Sequence, residues 1–184
     1  MRKVPQQIIR EARRGKEEAL LRLFDDHQLP LFRFAWRLTG SIADAEDIVQ
    51  DCFLTLLRPD CSFDPARTAL RTYLFGAVRN QWLKRLRRRE QGVAPEPTDR
   101  RTPETETLRS EVAKAVAGAI AELPDTQREV LLLAHYEQLS TAEIAEITQL
   151  EITAVKSRLQ RARAALREIL AAYAPERSGL YERK

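Results

Sequence analysis

Apolar side chains recur along this chain at spacings of three and four, and glycine, proline or capping residues separate the periodic stretches. Strands would show alternation instead, so the pattern predicts amphipathic helices. Leu20, Leu21, Phe24, Leu31, Phe34, Ala35 and Leu38 mark a first helical stretch, with a kink expected near Pro30. Gly40 stops it. Ser41 followed by Asp44 has capping-box spacing and opens a helix running to about Leu57. The breakers in residues 59–65, PDCSFDP, predict a loop. A long helix is expected from about Ala66 to Arg89, with Leu70, Tyr73, Leu74, Ala77 and Val78 facing inward.

Residues 90–103, EQGVAPEPTDRRTP, interrupt the periodicity with prolines and almost no apolar side chains, which predicts a flexible linker. Fully extended, such a segment reaches about 45–50 Å. Beyond it, Leu108, Val112, Ala115, Val116 and Ala119 mark one helix. Pro124 suits the first position of the next, which carries Val130, Leu131, Leu133 and Ala134. Ser140 and Glu143 form a second capping box ahead of Ile144, Ala145 and Ile147. Residues 148–151 predict a turn, and the following helix packs through Val155, Leu159, Ala162, Leu166, Ile169 and Leu170. The expected fold class is therefore all-α: two small helical domains joined by a flexible linker, the C-terminal one with a helix-turn-helix. The expected segments are a domain over 1–89, a linker over 90–103, a domain over 104–174 and a frayed tail over 175–184.

Charge sharpens this picture. The formal net charge is only +4, but residues 61–95 hold 8 basic and 2 acidic side chains. The last predicted helix places Lys156, Arg158, Arg161, Arg163 and Arg167 in succession with no acid between them. Simple surface helices mix signs, so two concentrated basic rods point to a polyanion such as DNA. On the last helix, cations flank Ser157 and Gln160, an arrangement able to hold phosphates on both walls of a major groove. The first rod contains Arg79, Asn80, Lys84, Arg85 and Arg88. Tyr73, Phe75 and Trp82 lie beside it, as core residues or as stacking surfaces for unpaired bases. The helix over residues 43–53, ADAEDIVQDCF, is acidic instead, with Asp44, Glu46, Asp47, Gln50 and Asp51 around an apolar stripe. Such a surface repels DNA and suits a protein partner with basic residues.

Other chemistries find little support. No apolar run approaches the roughly 20 residues that span a bilayer. The N-terminus lacks the apolar core of a signal peptide, so a cytoplasmic protein without membrane insertion is expected. Cys52 and Cys61 show no metal-binding spacing and read as reduced, partly buried thiols. His27 and His135 are isolated. No nucleophile–base pair, phosphate loop or metal cluster is evident; neither an enzyme nor a cofactor is expected.

The three blocks together resemble bacterial RNA polymerase sigma factors of the extracytoplasmic-function (ECF) group. ADAEDIVQDCF looks like the acidic helix of region 2, LRTYLFGAVRNQWLKRLRRR the basic segment after it, and LPDTQREVLLL…STAEIAEI…AVKSRLQRARAALRE the region 4 signature. The resemblance implies a dissociable specificity subunit that binds core RNA polymerase and promoter DNA, with an anti-sigma factor as a further partner. It assigns Asp47, Gln50 and Asp51 to polymerase docking. It assigns Arg79, Asn80, Lys84, Arg85 and Arg88 to the −10 element, with the 61–67 loop capturing a flipped base. It assigns Lys156, Ser157, Arg158 and Arg161 to the −35 element. Three positions depart from the family pattern: Tyr73 replaces its usual Trp, Gln149 its turn glycine and Ala154 its Thr. The alternative is a two-domain helix-turn-helix regulator that never enters polymerase.

Overall fold

Short polar residues and left-handed caps set the helix ends. Gly40 (φ 70°) closes one helix and Ser41 opens the next, its hydroxyl accepting a hydrogen bond from the Asp44 amide. Glycine adopts this left-handed geometry without the steric cost a Cβ brings. In the computed structural model, which describes residues 6–92 and 111–171, all regular elements are helices. They are α1 (Gln6–Arg13), α2 (Glu17–Thr39), α3 (Ile42–Leu57), α4 (Leu70–Glu90), α5 (Glu111–Glu122), α6 (Asp125–His135), α7 (Thr141–Thr148) and α8 (Ile152–Ala171). Most of the proposed linker, Leu108 and the 175–184 tail lie outside the described residues.

Helices α1–α4 share one core. Leu31, Phe34, Ile48, Leu56, Leu74, Phe75 and Trp82 are almost wholly buried, and Phe34 meets Phe75 edge-on with ring centroids 5.3 Å apart. Two expectations are corrected here. The early buried stripe of α2, which is continuous through Pro30, is Ala19 and Leu23; Leu21 is exposed, and Phe24 packs its ring on Phe53 at the edge of the core, with centroids 4.9 Å apart. Helix α4 begins at Leu70 rather than Ala66, because Asp64 holds a turn before it. Its carboxylate accepts from the Ala66 amide at 2.9 Å, and its carbonyl accepts from the Arg67 and Thr68 amides.

The second half is built on α6. Pro124 stands at its N-cap, one residue earlier than expected, and its carbonyl accepts from the Gln127 and Arg128 amides. Ser140 and Glu143 complete a reciprocal capping box at the start of α7. Four successive residues of α6, Val130 to Leu133, are each no more than 3% exposed. A helix apolar on all sides must be covered on all sides. Helices α7 and α8 cover part of it, and α2 of the first half packs against it as well, while α4 packs against α7. The two halves are thus docked on each other.

Candidate polymerase and DNA surfaces

The candidate polymerase-docking residues lie on α3. Its buried stripe (Ala45, Ile48, Val49, Cys52, Phe53 and Leu56) faces the core. Asp47 and Gln50 therefore stand exposed, and Asp51 is half-exposed. Leu54, 57% exposed, lies a helical turn beyond Gln50 on the same side. The sequence reading missed it, although its register places it off the apolar stripe. An exposed leucine beside carboxylates suits a basic protein surface with an apolar centre.

The basic rod on α4 divides in two. Asn80, Lys84 and Arg88 follow i, i+4, i+8 spacing and form one exposed row. Arg79 and Arg85 turn instead to carboxylates. Arg85 lies 3.6 Å from Asp51, and Arg79 donates to Glu129 of α6 at 2.7 Å. Arg89 pairs with Asp44. Asp44 at the start of α3 and Asp51 further along it therefore orient the second half of α4, beyond what capping asks of Asp44. Of the three rings near this rod, Phe75 and Trp82 are core. Tyr73 is half-buried, packs its ring on Phe63 of the preceding loop in a tilted arrangement with centroids 5.0 Å apart, and places its hydroxyl 3.3 Å from the Cys61 sulfur.

A cavity of about 470 Å³ opens beside this loop, lined by Ser62, Tyr73, Asn80 and Lys84 of the first half and by Glu146 and Gln149 of the second. Cys52 also lines it, but burial followed by the Asp51 charge pushes its thiol up to about 12. Burial and the neighbouring Cys61 push the Tyr73 hydroxyl up to about 12 as well. Both groups stay protonated at neutral pH. Cys52 and Cys61 are free thiols.

The −35 candidates lie on α8. Lys156, Ser157 and Arg161 are exposed, with Arg161 donating to the Ser157 hydroxyl at 3.2 Å. Arg158 departs from the expectation of a free DNA contact: it is half-buried and donates to Glu129 at 3.3 Å. In the turn before α8, Gln149 takes the left-handed conformation that a glycine favours (φ 57°), and its side-chain amide donates to the Glu146 carbonyl at 2.6 Å.

Two clusters of helices, one ending in a helix-turn-helix with an exposed basic face, define a DNA-binding protein with a separate acidic ridge on α3. Residues 23–91 match the family model for sigma-70 region 2, and residues 113–166 match that for sigma-70 region 4. The chain is 40% identical over 162 residues to the ECF RNA polymerase sigma factor SigL of Mycobacterium tuberculosis, covering 82% of this chain and 89% of SigL. It is 27% identical over 177 residues to the ECF sigma factor SigW of Bacillus subtilis, covering 88% and 94%. Among solved structures it is similar to the sigma factor RpoE in complex with the anti-sigma factor NepR from Bartonella quintana. There the TM-score is 0.65 at 29% identity, over 78% of this chain and 91% of that one. CnrH in complex with the cytosolic domain of CnrY gives a TM-score of 0.67 at 28% identity, over 91% and 97%. The chain belongs to the ECF RNA polymerase sigma factors. It is a polymerase-binding sigma factor, and recognition of −10 and −35 promoter elements is standard for that family. The match of residues 23–91 to region 2 removes the alternative of a regulator that stays off polymerase. Sigma factors are non-enzymatic initiation factors. Among the described residues, no helix is long and apolar enough to cross a membrane.

Proposed function

We propose that three helices divide the work of initiation. Asp47, Gln50, Asp51 and Leu54 on α3 dock core polymerase. Asn80, Lys84 and Arg88 on α4 hold the −10 strand phosphates, joined by Arg79 and Arg85 once these leave their acidic partners. Lys156, Ser157, Arg158 and Arg161 on α8 read the −35 duplex. The carrying observation is the exposed row Asn80, Lys84 and Arg88 running beside the cavity at the 61–67 loop. Opening the duplex costs a few kcal/mol per unstacked base, on the order that a pocket and ring stacking can offset. Tyr73, already half-buried against Phe63, supplies a firm wall for such a base.

In this reading residues 1–89 and 104–174 form the two functional domains, and the chain contributes no catalytic group of its own. It works in the cytoplasm with polymerase. An anti-sigma factor fits as a further partner, because the relatives RpoE and CnrH are held in complexes with NepR and CnrY. The test is run-off transcription with core enzyme on a library of genomic promoters. Arg161→Ala is expected to lower promoter-specific transcription and leave core binding near normal. Asp47→Arg is expected to abolish core binding and leave isolated −35 contacts intact. Equal loss of both activities in both variants, with folding preserved, contradicts the division.

A further inference from the structure

The loop before α4 has two faces. Ser62 and Tyr73 line the cavity beside Asn80 and Lys84, whereas Phe63 and Pro65 line a second groove, of about 230 Å³, on the side of α1. The Phe63 ring packed on Tyr73 is the wall between them. Asp64, between Phe63 and Pro65, turns its carboxylate to the Ala66 amide.

Helix α1 supplies the other wall of the groove through Gln6, Ile9, Arg10 and Arg13. Ile8, Ile9 and Ala12 anchor α1 on α2 and α3, and that register leaves Arg10 exposed. Arg13 is half-buried and donates from Nε to the Leu56 carbonyl at 3.1 Å, at the end of α3 where carbonyls lack helical partners. Its Nη2 atom is buried without a hydrogen-bond partner. Among the described residues, no acid pairs with Arg10 or Arg13. Residues 1–16 hold six basic side chains and one acid, Glu11, which is bonded to Gln7 and Lys16. A half-buried cation with only a neutral carbonyl as partner calls for a counter-charge.

Pockets for small molecules run to roughly 300–1,000 Å³ and are mostly apolar. This groove is smaller, open and bordered by two cations, so it suits a short stretch of a longer anionic chain. Position decides which chain. The α4 row brings the −10 strand to the loop from one side. A strand whose base enters the cavity must then leave past the loop, and the α1 groove lies there.

We propose that α1 is a further DNA-contacting helix: Arg10 and Arg13 bind backbone phosphates of the unpaired −10 strand immediately after the captured base, on the start-site side. The proposal rests on the assignment of the 61–67 loop and the α4 row to the −10 strand. The groove asks for phosphate and not for a particular base, so the contact is independent of sequence. Holding the strand on both sides of the loop keeps the captured base in place and stabilises the opened promoter.

The test uses holoenzyme and two fluorescein-labelled forked −10 DNAs, read by anisotropy. In one the unpaired strand ends at the captured base; in the other it continues four nucleotides toward the start site. Arg10→Gln and Arg10→Lys are compared with wild type and with Arg14→Gln, the same charge change at an exposed position past the end of α1. One phosphate contact on a single strand carries a log–log salt slope of about 0.7, worth about fivefold in affinity between 1 M and 0.1 M salt. The extension is therefore expected to raise the slope by about 0.7 less in Arg10→Gln than in wild type, Arg10→Lys and Arg14→Gln. A neutral methylphosphonate at the first or second linkage past the captured base is expected to erase that difference. Equal gains from the extension in Arg10→Gln and Arg14→Gln overturn the proposal. Loss of core binding in Arg10→Gln overturns it too, by assigning the groove to polymerase. A wild-type holoenzyme that binds forked −10 DNA no better than a scrambled fork defeats the functional reading, whereas normal fork binding with the same gain in every variant defeats the α1 site alone.

Discussion

Arg85 on α4 faces Asp51 on α3 across 3.6 Å, so one arginine of the basic rod proposed to hold DNA is also the partner of an acid on the ridge proposed to dock polymerase. The pair is open to water, with Asp51 49% exposed at its side chain. Water and salt screen such a pair, and its net worth is about 1 kcal/mol or less. A double-mutant cycle of Asp51→Asn and Arg85→Gln, read by thermal unfolding, is expected to show a coupling below ~1 kcal/mol. In transcription assays Arg85→Gln is expected to slow promoter opening without weakening core binding. A coupling of several kcal/mol instead would make Arg85 a structural residue.

The exposed row on α4 makes a sharper electrostatic prediction. Each cation that neutralises a strand phosphate releases counterions, about 0.7 per phosphate on single strands and about 0.9 on duplex. Replacing both Lys84 and Arg88 by Ala should therefore flatten the log–log salt dependence of holoenzyme binding to forked −10 DNA by about 1.4–1.8. Asn80→Ala, which removes no charge, is expected to weaken binding while leaving the slope unchanged. An unchanged slope in the double variant would show that these cations do not touch phosphate.

Local rules and tertiary facts separate cleanly in this chain. The capping box at Ser140 and Glu143 formed in full, because every group it needs lies within four residues. At Ser41 the hydroxyl caps α3, but the Asp44 carboxylate is drawn to Arg89, 45 residues away. The exposure of Asp47 and Gln50 on α3 and of Lys156, Ser157 and Arg161 on α8 followed from apolar periodicity, whereas their choice as candidates came from the family resemblance. The shared partner of Arg79 and Arg158 did not, since Glu129 lies 50 and 29 residues from them. In sequence Glu129 is one more acid in the first turns of a helix. Only the docking of α6 against the first half, with α8 beside it, buries it. The same docking explains why Leu132 is fully buried beside Leu131 and Leu133, which a single apolar stripe on α6 does not predict.

The helix-turn-helix turn carries a measurable strain. Gln149 holds φ 57°, where a side chain costs on the order of 1 kcal/mol relative to glycine. Its amide bond to the Glu146 carbonyl recovers part of that cost. Gln149→Gly relieves the strain but loses this bond and loosens the unfolded chain. The expected net change is a gain of up to about 1 kcal/mol, a rise of a few degrees in Tm. Gln149→Val, which adds β-branching at positive φ and removes the bond, is expected to lose about 1–3 kcal/mol. Thermal unfolding should thus rank Gly at or above wild type and Val well below. The reverse order would show that the turn does not need the left-handed conformation.

His27 gives the fold a defined response to acid. Burial, more than any other cause, lowers its pKa below the usual 6.5; the Arg71 charge acts the same way and the adjacent Asp26 opposes it. Its Nε2 atom is buried without a hydrogen-bond partner, which also favours the neutral ring. Above pH 6.5 the ring is neutral in both folded and unfolded chains, and it contributes no pH dependence. Below 6.5 the unfolded chain takes up the proton first, so stability falls as pH drops toward the folded value. Glu137 acts in the opposite sense: burial raises its carboxyl despite Arg71, so its contribution declines as pH rises through the folded value. His27→Gln removes the first response and leaves the second. Melting temperatures taken from pH 7.5 down to 5.5 are therefore expected to fall less steeply in His27→Gln than in wild type. Parallel curves would mean that His27 gains its proton equally in both states, through water reaching the ring between α2 and α4.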